Sequence, residues 1–436
     1  MKTVLKIIIT GLFLLHFNSS FAQQNKGIAE IDAQTYQLYL QKDWKKLVEV
    51  GEEALKNNID FYFLKVRMGI AYYYLKKYRK AARFLEKAYA VDSNNAVVAE
   101  YLYYAYLFGG RAMDAYRIAD SFKIELKQKI GFDQSKAIDA LGIDYKIDFI
   151  EDYAIKNVTG DLEQNVITEN KYFGLDIENY YGAGNLFYMH LGKLTRDYNT
   201  YTITNGLVEI IPDRFNQYQI YLAHYSQVGK GFNLAFALNW LLIKTENESL
   251  VRIGRGGRTG IAVSTNLNSE FVGFLGMRKD IGNFKFGLTG SVSNLNDDFQ
   301  VISGFETIWY PLSNTNLYIS LNPSYKFEYA NEYWKNDMIF KSALGFKVGP
   351  LYIEPAYTYG DIYNYVEADG LIAYNDSETI SNRYELSLYT FLSKGHIKLF
   401  VKGQQYDKTN YYQLDNINKE QTYTNYTITS GILWKF

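Results

Sequence analysis

Three histidines remain once the first 22 residues are set aside: His190, His224 and His396. An acyl hydrolase needs one of them beside a nucleophile and an orienting carboxylate. His190 lies in a run where Phe187, Met189 and Leu191 share the opposite parity. In a strand it would face inward, and no nucleophile stands near it in sequence. No Gly-x-Ser-x-Gly elbow occurs, nor a His-Glu-x-x-His run, nor a Gly-rich phosphate loop followed by Lys. There is no Cys, which excludes disulfides, thiolate metal sites and a lipidated Cys anchor. The expectation is no catalytic residue, no metal and no cofactor.

Two basic groups could do electrostatic work. Lys76, Lys80, Arg83 and Lys87 stand at i, i+4, i+7 and i+11, one stripe of a helix, with Lys77 and Arg79 beside them. They could hold an anionic polymer or lipid headgroups; the plainer reading is a solvated helix face. Arg252, Arg255 and Arg258 sit among Gly254, Gly256 and Gly257. They suit surface phosphates, or a narrowing of a lumen, or a solvated loop. The whole chain carries 46 basic against 47 acidic side chains. No overall field draws it to nucleic acid, and none is expected as a partner.

The elements that carry these residues fall into three stretches. Residues 1–22 read as a signal peptide: Lys2 and Lys6, an apolar run from Ile7 to Phe17, then Ser20-Phe21-Ala22. Export to the cell envelope follows from that reading.

Residues 23–139 have a helical period. Gly69, Tyr72, Ala81, Leu85 and Ala88 are spaced as in tetratricopeptide repeats. A step of about 34 residues, that family's period, puts Leu47 and Ala115 under Ala81, Ala54 under Ala88, and Tyr106 under Tyr72. Trp44 falls under Tyr78 in the same way. The region thus resembles three tetratricopeptide units, over 28–61, 62–95 and 96–129. The resemblance implies a concave groove lined by Tyr36, Tyr39, Val66, Ile70, Tyr73, Tyr74, Tyr104 and Phe108. Exposed rings in a groove suit an apolar peptide or a partner protein. Alternatively, single rings pack between repeats.

Residues 140–436 alternate with period two. Leu234, Phe236, Leu238 and Trp240 take one face, and Ala235, Ala237 and Asn239 the other. Tight turns are expected at Gly182–Asn185, Gly229–Gly231, Asp280–Asn283, Leu312–Asn316, Gly349-Pro350 and Ser393–Gly395. Polar stretches at 151–170, 195–214, 244–258, 360–382 and 405–424 read as longer outer loops. Short turns on one side and long loops on the other fit an up-and-down barrel of about fourteen strands, between twelve and sixteen. The count is loose because 259–281 reads as one long strand or two short ones. Glu354, Lys341, Lys347, Glu385, Lys398 and Lys402 take the inward parity, giving either a hydrated passage or an ion-pair network.

The last strand is the plainest. Tyr426, Ile428, Ile432, Trp434 and Phe436 share one parity, while Thr427, Thr429, Gly431 and Lys435 take the other. It resembles the terminal strand of bacterial outer-membrane barrels, which the insertion machinery recognises. The expected fold class is α + β multidomain: a helical solenoid, then an antiparallel transmembrane β-barrel. The architecture looks like that of polysaccharide-export porins, with a shorter repeat domain. That resemblance implies a barrel in outer-membrane lipid and repeats in the periplasm that dock a partner protein. A channel or secretion component is the first functional reading. A non-conducting anchored scaffold is the second, and a barrel lipase or deacylase the third.

Overall fold

The computed structural model describes residues 27–133, 136–156, 158–182, 184–253, 258–330, 332–376 and 378–436, with backbone alone over 247–253 and 258–262 and at 394. The signal-peptide reading of residues 1–22 and Arg255 lie outside the described residues. The Arg252 and Arg258 side chains are likewise undescribed. The chain divides into two compact units, Met1–Phe132 with Pro311–Thr315, and Asp133–Tyr310 with Asn316–Phe436.

The first unit is helical. α1 covers 27–40, followed by α2 (Trp44–Lys56), α3 (Tyr62–Tyr74), α4 (Tyr78–Val91), α5 (Ala96–Phe108), α6 (Ala112–Asp120) and α7 (Ile124–Ile130). Small residues let neighbouring helices approach: a Cβ on Gly69 would lie 2.5 Å from Leu85 Cγ, and one on Gly51 2.1 Å from Met68 Sδ. Leu47, Ala54, Tyr72, Ala81, Ala88, Tyr106 and Ala115 are all buried.

Contacts recur 34 residues apart. Tyr72 donates to the Glu52 carboxylate at 2.5 Å, and Tyr106 to the Glu86 carboxylate at 2.9 Å. Trp44 stacks on Tyr74 at 4.7 Å between centroids, and Tyr78 meets Phe108 at 5.1 Å. Lys42, Lys76 and Gly110 take left-handed φ of 59°, 58° and 75° in the successive turns. A left-handed residue closes each of these tight links, and only glycine adopts it without cost.

The second unit is a closed antiparallel barrel of fourteen strands. In chain order these are β1 (Ala140–Ile150), β2 (Leu162–Tyr181), β3 (Asn185–Thr204), β4 (Leu207–Gly229), β5 (Phe232–Ile253), β6 (Arg258–Ile281) and β7 (Phe284–Ser293). β8 (Phe299–Trp309), β9 (Leu317–Ala330), β10 (Tyr333–Val348) and β11 (Leu351–Tyr359) follow. A small separate hairpin of β12 (Tyr365–Glu367) and β13 (Ile372–Tyr374) comes next. β14 (Thr379–Leu392), β15 (Ile397–Leu414) and β16 (Ile417–Lys435) complete the wall. β16 closes on β1, from Ala140 opposite Lys435 to Ile150 opposite Asn425. Closure leaves no unpaired edge.

Alternation sorts the faces. On β5, Phe236, Leu238, Trp240 and Leu242 are exposed on the outer face while Ala237, Asn239 and Leu241 are buried inside. On β16, Tyr426, Ile428, Ile432 and Trp434 are exposed, as is Phe436 just beyond it, and Thr427 and Thr429 are buried. The outer wall is apolar and aromatic, the inner one polar.

The six expected tight turns all join consecutive strands, and 258–281 is one long strand. The outer loops differ from expectation. Residues 195–214, 244–258 and 405–424 largely continue the ladders: β4 runs 23 residues, β5 22 and β6 24. About 9–11 tilted residues cross a hydrocarbon core, so these pairs extend well past that length. The cause is local. Asn205 and Gly206, with φ of 50° and 77°, make a two-residue link between β3 and β4. That geometry matches the right-handed twist of a hairpin. Asp415 and Asn416 do the same between β15 and β16.

Candidate functional site: the filled lumen

Of the 360–382 stretch, expected outside, residues 360–376 fold inside the barrel and 379–382 begin β14. Its backbone carbonyls and carboxylates find partners on the inward face of strand after strand. Gln219 and Asn239 side-chain amides donate to the Leu371 and Gly370 carbonyls at 2.6 and 2.8 Å. The Tyr221 hydroxyl donates to the Asp369 carbonyl at 2.9 Å. Lys326 donates to the Tyr363 carbonyl at 2.6 Å, and Asn375 donates to Gln217 at 2.7 Å and Glu270 at 2.8 Å.

Three charge clusters pin the hairpin. Glu367 receives Arg383 at 2.9 Å and Lys341 at 3.4 Å; the same two cations hold Glu385 at 3.1 and 3.3 Å. Asp369 pairs with Arg278 at 2.5 Å, and Arg278 also pairs with Glu306 at 2.6 Å. Asp376 lies between Arg196 at 3.1 Å and Lys408 at 2.8 Å, while Lys408 also reaches Glu378 at 3.2 Å. Burial alone would raise the Glu367 and Asp376 carboxyls. The cations beside them overcome that and hold both well below the ordinary carboxylate range. Of the two readings for the inward charges, the ion-pair network is present. Lys341 and Glu385 belong to it; Glu354 instead accepts from Tyr318, and Lys347 lies over the Tyr352 ring.

A second segment also enters. β1 stops at Ile150, and β15 then pairs with β2 directly, Tyr412 opposite Gln164. Tyr153, just beyond β1, is buried. It stacks on Tyr423 at 4.0 Å and donates to Glu378 at 2.9 Å.

The filling leaves a cavity of about 340 Å3 between the hairpin and strands β1–β3, β15 and β16. A second, of about 320 Å3, lies against β7–β10. Lys402 lines both. His190 faces the first cavity. Its Nδ1 lies 2.6 Å from Asp176, and its Nε2 meets the Tyr172 hydroxyl. Three inward glycines make room for this group. A Cβ on Gly174 would lie 2.3 Å from Asp144, one on Gly192 2.4 Å from the Tyr172 hydroxyl, and one on Gly142 2.8 Å from Asp176. Asp144, Asp176 and His190 offer ligand atoms within 4.8 Å of one another, close enough to share a cation. The partners that sequence proximity did not supply to His190 thus come from the neighbouring strand β2. The oxygen on Nε2 is a phenol, not an aliphatic hydroxyl.

In the helical unit the structure places the groove residues unequally. Tyr36, Tyr74 and Phe108 are exposed; Tyr39, Tyr73 and Tyr104 are half-buried. Five of the six join one ladder of rings: Tyr39 meets Trp44, Tyr74 stacks on Trp44, and Tyr73 and Tyr104 both touch Phe108. Tyr78 and Tyr101 complete it, with Tyr101 5.0 Å from Tyr73 and hydroxyl-bonded to Tyr74 at 2.8 Å. Trp44, Tyr78 and Tyr101 were not singled out for the groove by spacing. Tyr36 stands apart, under the Arg67 guanidinium at 5.2 Å. Burial, then neighbouring phenols, push the Tyr73 hydroxyl up to about 12.

The basic stripe is not continuous. Lys76 sits in the turn before α4, Lys80 lies over the Tyr72 ring at 5.4 Å, and Arg83 over Phe84 at 5.3 Å. Lys87 is exposed. Arg79 is buried and donates to the Gly109 carbonyl at 2.9 Å.

No family model matches the chain, and no curated protein matches it. Among solved structures, a FadL homologue of Pseudomonas aeruginosa gives a TM-score of 0.42 at 7% identity over 69% of this chain and 90% of that one. The Pseudomonas putida toluene transporter TodX gives 0.39 at 8% identity, over 70% and 90%. The ferric-catecholate import receptor Fiu of E. coli K12, in its open form, gives 0.35 at 10%, over 63% and 53%. At these scores the functional reading rests on the geometry of the chain itself.

Proposed function

We propose that the chain is a bacterial outer-membrane transport component whose lumen is closed by its own 360–376 segment, built around the β12–β13 hairpin. The supporting observation is that hairpin, set inside a closed fourteen-strand barrel with an apolar exterior. Only a closed barrel or a helix satisfies every backbone group in lipid, and a fourteen-strand barrel leaves a lumen wider than its wall side chains fill. Something must fill it or water will. Here polar, charge-paired chain fills it, which a segment able to leave requires more than a permanent core does.

The helical unit is read as a periplasmic tetratricopeptide-type domain, supported by the contacts that recur every 34 residues. Its ring ladder, through exposed Tyr74 and Phe108, and the separate exposed Tyr36 offer a docking surface for a partner protein. His190 is read as a wall residue rather than a catalytic base, because the oxygen on its Nε2 is the Tyr172 phenol and not an aliphatic hydroxyl that could serve as nucleophile. The second reading, a non-conducting anchor, draws support from the same charge clusters: a plug so tied can be permanent.

One experiment separates them. Residues 361–377 are replaced by a short Gly-Ser link, and the protein is reconstituted in planar bilayers. The transport reading expects the full chain to show rare openings and the deletion a steady ohmic conductance. An intact chain silent at all voltages, with a conducting deletion, selects the anchor. A silent deletion that is still folded refutes the lumen as a passage.

A further inference from the structure

The first cavity carries an unmet demand. Among the described residues, eight buried side-chain atoms lack a hydrogen-bond partner. Four belong to residues that line this cavity: Asp148 Oδ1, Asn170 Oδ1, Asn425 Oδ1 and Arg196 Nε. Asn170 and Asn425 are 4% and 2% exposed. Their amide nitrogens both donate to Asp148 Oδ2, at 2.7 and 3.1 Å. The amide oxygens are therefore left without donors. Asp148 Oδ1 has only Lys146, at a loose 3.8 Å. A buried acceptor without a donor has lost its hydration with nothing in return.

The charges show the same pattern. Asp144 has no hydrogen bond or ion pair within 4.0 Å among the described residues, and neither has Lys402; both line the cavity. Around the wall the order is β15, β16, β1, β2, β3. Lys402 stands on β15 and Arg196 on β3. Asn425, Asp144, Asp148 and Asn170 lie on the strands between. Donors and positive charge flank an arc of acceptors and negative charge.

We infer that this cavity binds a small zwitterion, a molecule with an ammonium and a carboxylate such as a free amino acid or a dipeptide. An ammonium presents three donors and one positive charge. It offsets Asp144, and it meets the oxygens of Asp148, Asn170 and Asn425 once those side chains turn toward the cavity. A carboxylate accepts from Arg196 Nε and from Lys402. A neutral polyol would satisfy the orphaned atoms but leave both charges unpaired, and a hydrocarbon would satisfy neither. The volume of about 340 Å3 lies at the lower end of the roughly 300–1,000 Å3 of small-ligand sites. The inference rests on the transport reading in that it names what the lumen holds.

The test is titration calorimetry on the full chain in detergent micelles with L-alanyl-L-alanine, its N-acetylated amide and glucose. The expected result is saturable one-site binding of the dipeptide, weakened at least tenfold when its ends are blocked. Lys402→Met should weaken it by about tenfold, the loss of one charge-assisted contact. Lys402 makes no ion pair, so that variant should keep its heat-modifiable mobility. Asn170→Leu, checked for folding in the same way, should weaken binding comparably. Absence of saturable binding means that water alone occupies the cavity and overturns the proposal. Equal binding of glucose or of the capped dipeptide overturns it too. Neither outcome alters the conductance expected on hairpin deletion, so the two readings fail separately.

Discussion

Arg383 is the sharpest handle on the hairpin. Its side chain is fully buried and donates to Thr358, Glu367 and Glu385 at 3.0, 2.9 and 3.1 Å. It also meets the Tyr374 hydroxyl. Arg383→Met keeps most of the volume and removes the charge. Breaking one side of a buried pair costs about 3–5 kcal/mol, chiefly because the other charge is left unpaired. Lys341 stays within 3.4 Å of Glu367 and 3.3 Å of Glu385, so the lower end applies. About 3 kcal/mol shifts a closed-to-open ratio by roughly 150-fold. Part of the loss falls on β14 itself, because Glu385 belongs to the wall, so the shift in gating is an upper value. Single-channel recording reads it directly: open probability should rise by one to two orders of magnitude. Adding Glu367→Gln removes the stranded carboxylate and should recover part of the closure. Unchanged open probability in the single variant, with the barrel intact by heat-modified mobility, would refute the idea that this cluster holds the hairpin in.

Acid should act on the same contacts. The Glu367 and Asp376 carboxyls are depressed in the closed state, so their stabilisation is complete above their ordinary values near 4.5 and 3.8 and fades as pH falls below them. Openings should be independent of pH from 5 to 8 and increase below about pH 4; a transition near neutrality would contradict this. Deleting Trp434 to Phe436 removes pairs with β1 and β15, and unpaired backbone in lipid costs several kcal/mol per group. The truncated protein should give no heat-modifiable band, running alike before and after boiling, and normal membrane levels would oppose the closing role of β16. Tyr73→Ala removes a half-buried ring that touches Tyr74, Tyr78, Tyr101 and Phe108. It should cost about 2 kcal/mol, less than the 3–5 of a fully buried ring, and lower the helical melting step by roughly 10 °C. Exposed Tyr36→Ala should leave that step within about 2 °C, since surface changes usually stay within about ±0.5 kcal/mol.

What could be read from the sequence was whatever has a local period. Leu234 to Trp240 alternates because a strand must, and Gly69, Ala81 and Ala88 recur because helices in contact need small residues. The tight turns carried Gly, Pro, Asn or Ser for the same local reason. The link at Asn205-Gly206 had the strongest hairpin signal of all, yet the polar residues around it outweighed that signal and suggested a loop. Thr, Tyr and Asn pair in a ladder wherever both neighbours are strands.

The hairpin was beyond reach for a different reason. Asp361, Asp369 and Asp376 have the composition of a solvated loop, and their partners Lys326, Arg278, Arg196 and Lys408 are distant in sequence. Nothing local distinguishes a charge that faces water from one that faces a lysine across a barrel. The same holds for His190. Its inward parity was legible, and its partners on β2 were not, because register decides that Asp176 stands opposite it.

The most direct test of the account is where the hairpin sits in the assembled protein. Asn375 donates to Gln217 at 2.7 Å across the lumen, and the chain has no native Cys. A Gln217→Cys, Asn375→Cys pair in intact cells should be joined by a short bismaleimide. The joined protein should run as a looped species and conduct less often than the untreated one. No crosslink, with position 375 labelled freely by a bulky membrane-impermeant maleimide, would place the hairpin outside and contradict the closed lumen.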